Sequence, residues 1–453
     1  MNFWKEIKRK KMWIMKITPS DPHKTEYYFK ELFCKENCPN VIGYYKDSGK
    51  IEEFKDRFDS MSIGDVVVVI QGFQRVVGCV VVTSDSYDED PENDHSPDWF
   101  LHRRKAELLL KFNPPYDSVK ATNRDTIIDY SGEGAKSICD EVWGKVKGDY
   151  NNFINEKAEQ FELEIMKEKI RILEYKYQII LQGPPGTGKT RLAKDIAYNL
   201  IFNSLPSTDE DIRKVELNQL DNSEQFKLIQ FHPAYSYEDF VRGISAKSNG
   251  NNIEYKTEDK VLAEFARKAL ENCNKGGERQ KYVLVIDEIN RANLPAVLGE
   301  LIYALEYRNV AVESMYGKGI DNDRKITLPY NLYIIGTMNT ADRSVGHIDY
   351  AIRRRFAFID VPADISVLED EKAKKLFNQV ADLFNKKSDD GTSLYLASDF
   401  KAKDVQLGHS YFLGSEEILK LKLQYEIKPI LQEYLKDGIL LENSETVIND
   451  LHV

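Results

Sequence analysis

Residues 183–190 read Gly183-Pro184-Pro185-Gly186-Thr187-Gly188-Lys189-Thr190, a run whose residue types suit the holding of a phosphate chain. Glycines let the backbone curl until several N–H groups point inward, and a helix starting there adds the positive end of its dipole. Lys189 supplies a point charge for the outer phosphates and Thr190 a hydroxyl for Mg²⁺. Further along, Asp287-Glu288 closes an apolar run. Asp287 is suited to the metal shell beside Thr190, and Glu288 to orienting or polarising an attacking water. Asn339 ends a second apolar run, where an amide can hold that water or the outer phosphate without adding negative charge. Then come Arg353-Arg354-Arg355. Guanidinium stabilises charge on a transferring phosphoryl group, whereas a solvated basic turn would leave the run without chemistry. Arg353 and Arg354 are the catalytic candidates, and the residues alone do not say which acts.

These groups need strands that end together. The runs Tyr177–Leu181, Lys227–Phe231, Tyr282–Ile286, Leu332–Gly336 and Phe356–Val361 read as strands separated by helical segments. That alternation predicts a parallel sheet with helices on both faces, and ligands bind at the carboxyl ends of such strands. Leu192, Ala193, Ile196, Ala197 and Leu200 give the helix after the phosphate loop its apolar face.

Four regions are expected. Residues 1–118 carry the strand-like runs Trp13–Ile17, Asp65–Ile70 and Val76–Thr83, which suggest a small β-barrel-like α+β domain. Residues 119–165, with Trp143, Val146, Tyr150, Phe153 and Ile154 at helical spacing, suggest a helical connector. Residues 166–362 form the α/β nucleotide-binding module, and residues 363–453 a helical lid. Residues 85–98, acidic and Pro-containing, read as an exposed loop.

A net charge of −11 argues against coating nucleic acid by bulk electrostatics but leaves room for a pocket that reads one base. No apolar run approaches the ~18 residues that span a bilayer, and the start leads into no secretory core, so a cytoplasmic protein without a membrane partner is expected. The five cysteines are odd in number and scattered, Cys34 and Cys38 without a second ligand pair, and read as free thiols.

The order of phosphate loop, Asp287-Glu288, Asn339 and arginine run resembles an AAA+ ATPase-type module. Three further stretches resemble the McrB family, GTP-using motor subunits of modification-dependent restriction systems. They are Met338-Asn339-Thr340-Ala341-Asp342-Arg343-Ser344, Phe231-His232-Pro233-Ala234-Tyr235-Ser236-Tyr237-Glu238-Asp239-Phe240, and Gly408-His409-Ser410-Tyr411-Phe412. The likeness spans roughly residues 170–415. MoxR-type ATPases share the arginine run but not the first stretch in this form. The resemblance implies GTP with Mg²⁺, a hexameric ring, hydrolysis completed across subunit interfaces, and a separate McrC-like nuclease subunit that stimulates turnover. It also gives Asn290 the role of helping to place the catalytic water, with a helix cap as the alternative. Tyr235 and Tyr237 either line a pore or pack within the subunit. Nothing in composition or spacing shows a preference for GTP.

In the first region, Met12-Trp13, Gly64-Asp65 with its valine strand, and Ser96-Pro97-Asp98-Trp99-Phe100 resemble the EVE/PUA-like fold, which implies reading of a modified base in DNA. A flipped base gains by stacking on aromatic faces. The candidates are Trp13, Phe73, Tyr87 and Trp99, with Tyr44 and Tyr45 behind them; core packing is the alternative for Trp13 and Trp99. Asp85 and Asp88 oppose broad phosphate contact. The competing expectation for the whole chain is a MoxR-like, ATP-dependent remodeller of protein complexes. A binding scaffold with negligible turnover is disfavoured by Glu288 and Asn339.

Overall fold

The computed structural model describes residues 11–17, 41–45, 51–71, 75–88, 100–118, 127–128, 133–249, 252–275, 279–318, 323–342, 348–388 and 391–453. Phe73, Trp99, Cys34, Cys38, Arg343 and Ser344 lie outside these residues, as do the side chains of Tyr44, Tyr45 and Tyr87. Contacts divide the chain into a unit of residues 2–163 and one of residues 164–453.

The N-terminal unit is a small mixed sheet. Its strands are β1 (Met12–Ile17), β2 (Val41–Tyr45), β3 (Val66–Gln71), β4 (Arg75–Val82), β5 (Tyr87–Asp88), β6 (Phe100–Asp117) and β7 (Ile127–Ile128). They run in the order β2-β6-β4-β3-β1-β7, with β5 also on β6. β1 and β3 are parallel, Trp13 opposite Val67, and the other pairings are antiparallel. The valine run of β3 is buried on both faces, which is why it does not alternate with polar residues. Val67 and Val69 join Trp13, Met15 and Phe58 on one side. Val66, Val68 and Ile70 meet Ile138, Cys139, Val142, Val146 and Tyr150 on the other.

Those last residues come from a 44-residue helix, Glu133–Lys176. Their three- and four-residue spacing makes the apolar stripe, and Tyr150 Oη donates to Gly64 O at 2.8 Å. The first half of this helix completes the core of the N-terminal unit. Burial pushes the Cys79 and Cys139 thiols up to about 12, so both behave as apolar filling.

In the second unit, β8 (Gln178–Gly183), β9 (Phe226–Gln230), β12 (Tyr282–Asp287), β15 (Leu332–Asn339) and β16 (Ala357–Asp360) form a parallel sheet in the order β16-β8-β15-β12-β9. Each expected strand appears, shifted by a few residues at its ends. The helix Lys189–Phe202 buries Ala193, Ile196, Ala197 and Leu200 beneath Leu181 and Val285. Two hairpins were not expected: β10 (Arg242–Asn249) with β11 (Asn252–Asp259), and β13 (Ala311–Lys318) with β14 (Asp323–Thr327). Buried Arg242 ties them together, its Nε donating to Asp259 Oδ1 at 2.8 Å and its Nη1 to Ser314 Oγ at 2.9 Å.

The lid is helical, as expected. The helix Glu371–Asn385 is capped by Asp370, whose side chain accepts from Ala373 N, and buries Leu376, Phe377, Val380, Leu383 and Phe384. These pack with Phe412, Leu419, Ile427 and Leu431 in a core of their own. Among the described residues no helix is long and apolar enough to cross a membrane.

Candidate active site at the carboxyl ends of the strands

Parallel pairing brings the chemistry-bearing residues to one edge of the sheet. Asn339 is level with Gly183 across β15 and β8, and Asp287 is level with Gln230 across β12 and β9. The loop that leaves Gly183 turns through Gly186 and Gly188, with φ of 79° and 78°. Both angles lie in the left-handed region that residues with a Cβ avoid.

Lys189 opens the next helix and is only 7% exposed. Its Nζ donates to Gly183 O at 3.0 Å and Pro184 O at 2.7 Å. Burial pulls its pKa down to about 8, against the opposing pull of Glu288 and Asp287. A desolvated ammonium held by carbonyl oxygens is short of negative charge, and phosphate oxygens supply it. The loop and its lysine therefore fit a triphosphate.

Beside it, Thr190 Oγ1 donates to Asp287 Oδ1 at 2.7 Å, and Thr337 Oγ1 donates to the same oxygen at 2.6 Å. Hydroxyl and carboxylate oxygens of this kind are what a Mg²⁺ site takes. Thr337 also accepts from Glu288 N at 3.1 Å. Within the apolar run of β15 nothing marked this threonine as a site residue.

Glu288 has φ of 53°, a conformation that costs a non-glycine residue roughly 1–3 kcal/mol. The turn takes its side chain off the strand axis and toward Asn339, whose Nδ2 donates to Glu288 Oε1. Burial, chiefly, raises the Glu288 pKa, while Arg291 opposes. Asn290 Nδ2 reaches Asn339 O at 3.4 Å. Glu288 Oε2 and Asn290 Oδ1 are buried and accept no hydrogen bond, although Arg291 Nε approaches Glu288 Oε2 at 3.5 Å as an ion pair. Two acceptors without donors suit a water molecule, which has two hydrogens to give. The helix-cap alternative for Asn290 does not apply to the next helix, which Asn293 caps by accepting from Ala296 N.

The lid reaches the phosphate loop directly. Gly408 N donates to Pro185 O and Ser410 N to Gly186 O, each at 3.0 Å. A Cβ on Gly408 would lie 2.1 Å from Gly186 C, so the approach requires glycine. His409 Nδ1 accepts from Asp364 N at 3.3 Å, and burial lowers the pKa of its ring. Such an imidazole is neutral at pH 7 with its proton on Nε2. The sequence marked the 408–412 stretch only through resemblance and assigned it no contact.

The arginines separate. Arg353 lies over the Phe358 ring at 5.0 Å and, with Asn290 and Asn339, lines a cavity of ≈ 800 Å³ between the strand tips and lid residues 399–405. Arg354 pairs with Glu306 at 2.7 Å. It lines a different cavity, with Gln178 at the amino end of β8, so the fold does not bring it to the phosphate loop of its own chain. Tyr237 is buried with its hydroxyl donating to Glu300, and Tyr235 stacks on Phe231 at 4.7 Å; both pack within the subunit. In the N-terminal unit Trp13 is 3% exposed and its Nε1 donates to Asp65 Oδ2 at 2.9 Å. That indole is part of the core and offers no open face for a base.

Two family models match this second unit: an AAA domain of the dynein-related subfamily over residues 178–356, and the alpha-helical lid domain of McrB over residues 395–439. The Type IV methyl-directed restriction enzyme EcoKMcrB subunit of Escherichia coli (strain K12) is 34% identical over 286 residues, 59% of this chain and 56% of that protein. The Type II restriction enzyme BsuMI component YdiS of Bacillus subtilis (strain 168) is 29% identical over 214 residues, 40% of this chain and 55% of that one. The chain thus spans about half the length of the curated relatives it matches. A solved putative ATPase from Cytophaga hutchinsonii overlays with a TM-score of 0.28 at 13% identity, over 60% of this chain and 63% of that one, too loosely to inform the fold.

Proposed function

The chain carries an McrB-family AAA domain with its McrB lid, and from that premise we propose that it is the GTP-hydrolysing motor of a modification-dependent restriction system. The observation that carries the reading is the pair of donor-less acceptors, Glu288 Oε2 and Asn290 Oδ1, held beside Asn339 at the mouth of the phosphate loop. Lys189 and the N–H groups of the loop hold the outer phosphates. Thr190 and Asp287 would hold Mg²⁺, which when bound would neutralise charge on the phosphate oxygens. Glu288 and Asn290 orient the attacking water. As its oxygen bonds to the terminal phosphorus, its proton passes to Glu288, and the bond to the bridging oxygen breaks to leave the diphosphate. Burial of Glu288 makes it a stronger base than a solvated carboxylate.

In this proposal the ring is hexameric, cleavage belongs to an McrC-like nuclease subunit, and the N-terminal unit reads a modified base in DNA. With Trp13 in the core, the aromatic candidates that remain from the sequence are Phe73, Tyr87 and Trp99. Steady-state phosphate release from GTP, with ATP as control, tests the nucleotide. Equal or faster ATP turnover would overturn the GTP reading in favour of a MoxR-like remodeller. Binding to methylated and unmodified oligonucleotides tests the reader, and equal affinity for both would remove it.

A further inference from the structure

We infer that Thr337 is the positioning residue for both carboxylates of this site: its hydroxyl fixes the turn that carries Glu288 and holds Asp287 beside Thr190. The inference rests on the NTPase reading above and deepens it.

The strand pairing shows why a hydroxyl is needed at this point. β12 and β15 stay in register as far as Ile286, which lies opposite Gly336. On the other side of β12, Asp287 O still accepts from Phe231 N at 2.9 Å. Glu288 then turns away with φ of 53°, and its N–H leaves the ladder. A residue with a Cβ stays in that region only where its surroundings hold it. Thr337 Oγ1 takes the displaced N–H at 3.1 Å. β15 itself goes on pairing with β8, Thr337 opposite Leu181, so the hydroxyl is mounted on a strand that remains in the sheet. Thr337 is 2% exposed, and its branched Cβ restricts χ1.

Its partners settle where its proton goes. A carboxylate oxygen only accepts, so Thr337 Oγ1 donates to Asp287 Oδ1, at 2.6 Å. The chain of donors runs from Glu288 N through Thr337 Oγ1 to Asp287 Oδ1, and a hydroxyl can both accept and donate. Asp287 Oδ1 also accepts from Thr190 Oγ1 at 2.7 Å. Two donors on one oxygen fix a terminal torsion that is otherwise broad. Thr190, with its proton given to Asp287, keeps its lone pairs for a cation. The same arrangement follows from the strands. Val283, Val285 and Ile335 pack with Ala193 and Ile196 of the helix after the loop, and Asp287 and Thr337 continue those two rows at a period of two. One side chain thus serves the candidate base and the candidate metal ligand together.

The test compares the full-length wild type with Thr337→Val, which keeps the shape and removes the hydroxyl, and Thr337→Ser, which keeps the hydroxyl. GTP turnover is counted per chain that binds a fluorescent GTP analogue, so any misfolded fraction drops out. Thr337→Val should lower kcat about tenfold or more, with KM within about twofold. A second readout needs no hydrolysis: thermal midpoints at saturating GTP are followed as Mg²⁺ is titrated. The Mg²⁺ concentration at half-effect should rise about tenfold in Thr337→Val, while stabilisation by GTP in EDTA should match wild type. Thr337→Ser should restore most of both. A threonine that served stability alone would lower the midpoint and move neither quantity. Unchanged kcat in Thr337→Val overturns the positioning of Glu288, and an unchanged Mg²⁺ half-effect overturns that of Asp287. Thr337→Ser behaving as Thr337→Val overturns the role of the hydroxyl. A wild type that hydrolyses no triphosphate removes the functional reading itself, an outcome separable from these.

Discussion

Lys189→Met tests the phosphate loop through stability as well as binding. Lowering an ammonium from 10.5 to about 8 is worth roughly 3 kcal/mol in favour of the neutral form. At pH 7 the lysine is nonetheless charged, so the nucleotide-free protein carries that cost. Methionine keeps the length and the apolar stem and removes the charge. Against this, Gly183 O and Pro184 O lose the donors that Lys189 gives them, at about 1 kcal/mol each. The balance is a gain of about 1 kcal/mol, or roughly 2 °C for a unit of this size. Between pH 8 and 10.5 the unfolded chain binds the proton that the folded chain has given up, so wild-type stability rises through that window. The variant's advantage should therefore be largest at pH 7, vanish at about pH 9 and reverse by about pH 10. Melting curves at the two pH values, with and without GTP and Mg²⁺, read out both effects. Wild type should be stabilised by nucleotide and the variant should not. A variant that melts below wild type at pH 7, or one that GTP still stabilises, would refute the reasoning.

Other substitutions probe the neighbouring parts. Glu288→Gln should lower kcat by about 10²-fold or more while GTP affinity, read by fluorescence titration, persists. Gly408→Ala places a methyl 2.1 Å from Gly186 C. It should cost about 1–3 kcal/mol in denaturant unfolding and weaken GTP binding by parting the lid from the loop. Trp13→Phe takes a donor from Asp65 Oδ2 while Lys11 N and Ser62 N remain. It should cost about 1–3 kcal/mol and leave GTP turnover unchanged.

Much of the site can be read along the chain because a phosphate loop is local: eight consecutive residues carry its turn, charge and hydroxyl. The parallel strands are equally legible, since burial on both faces demands unbroken apolar runs such as Tyr282–Ile286. The hairpins escape this reading because β10 and β11 are rich in Ser, Lys, Asn and Glu and show no apolar run. β6 escapes because Pro114 and Pro115 interrupt it and polar residues crowd it. Thr337 was invisible because a threonine in a buried strand looks the same whether its hydroxyl serves Asp287 or not. Trp13 shows the converse, since an aromatic ring suits a base pocket or a core and the residue type does not distinguish them.

Residue identity and order thus determined which chemistry this chain can perform, because the charge, basicity and backbone freedom of each group travel with its type. Only the folded arrangement decided how those groups are employed. It set Asn339 against Glu288 across 51 residues of sequence and buried the indole of Trp13. It also engaged Nε, Nη1 and Nη2 of Arg355 with three different partners, while Arg354 meets Glu306 through Nη2. A hydrogen-bonding group can act only with the donors its neighbours have not already taken, and those neighbours are distant in sequence.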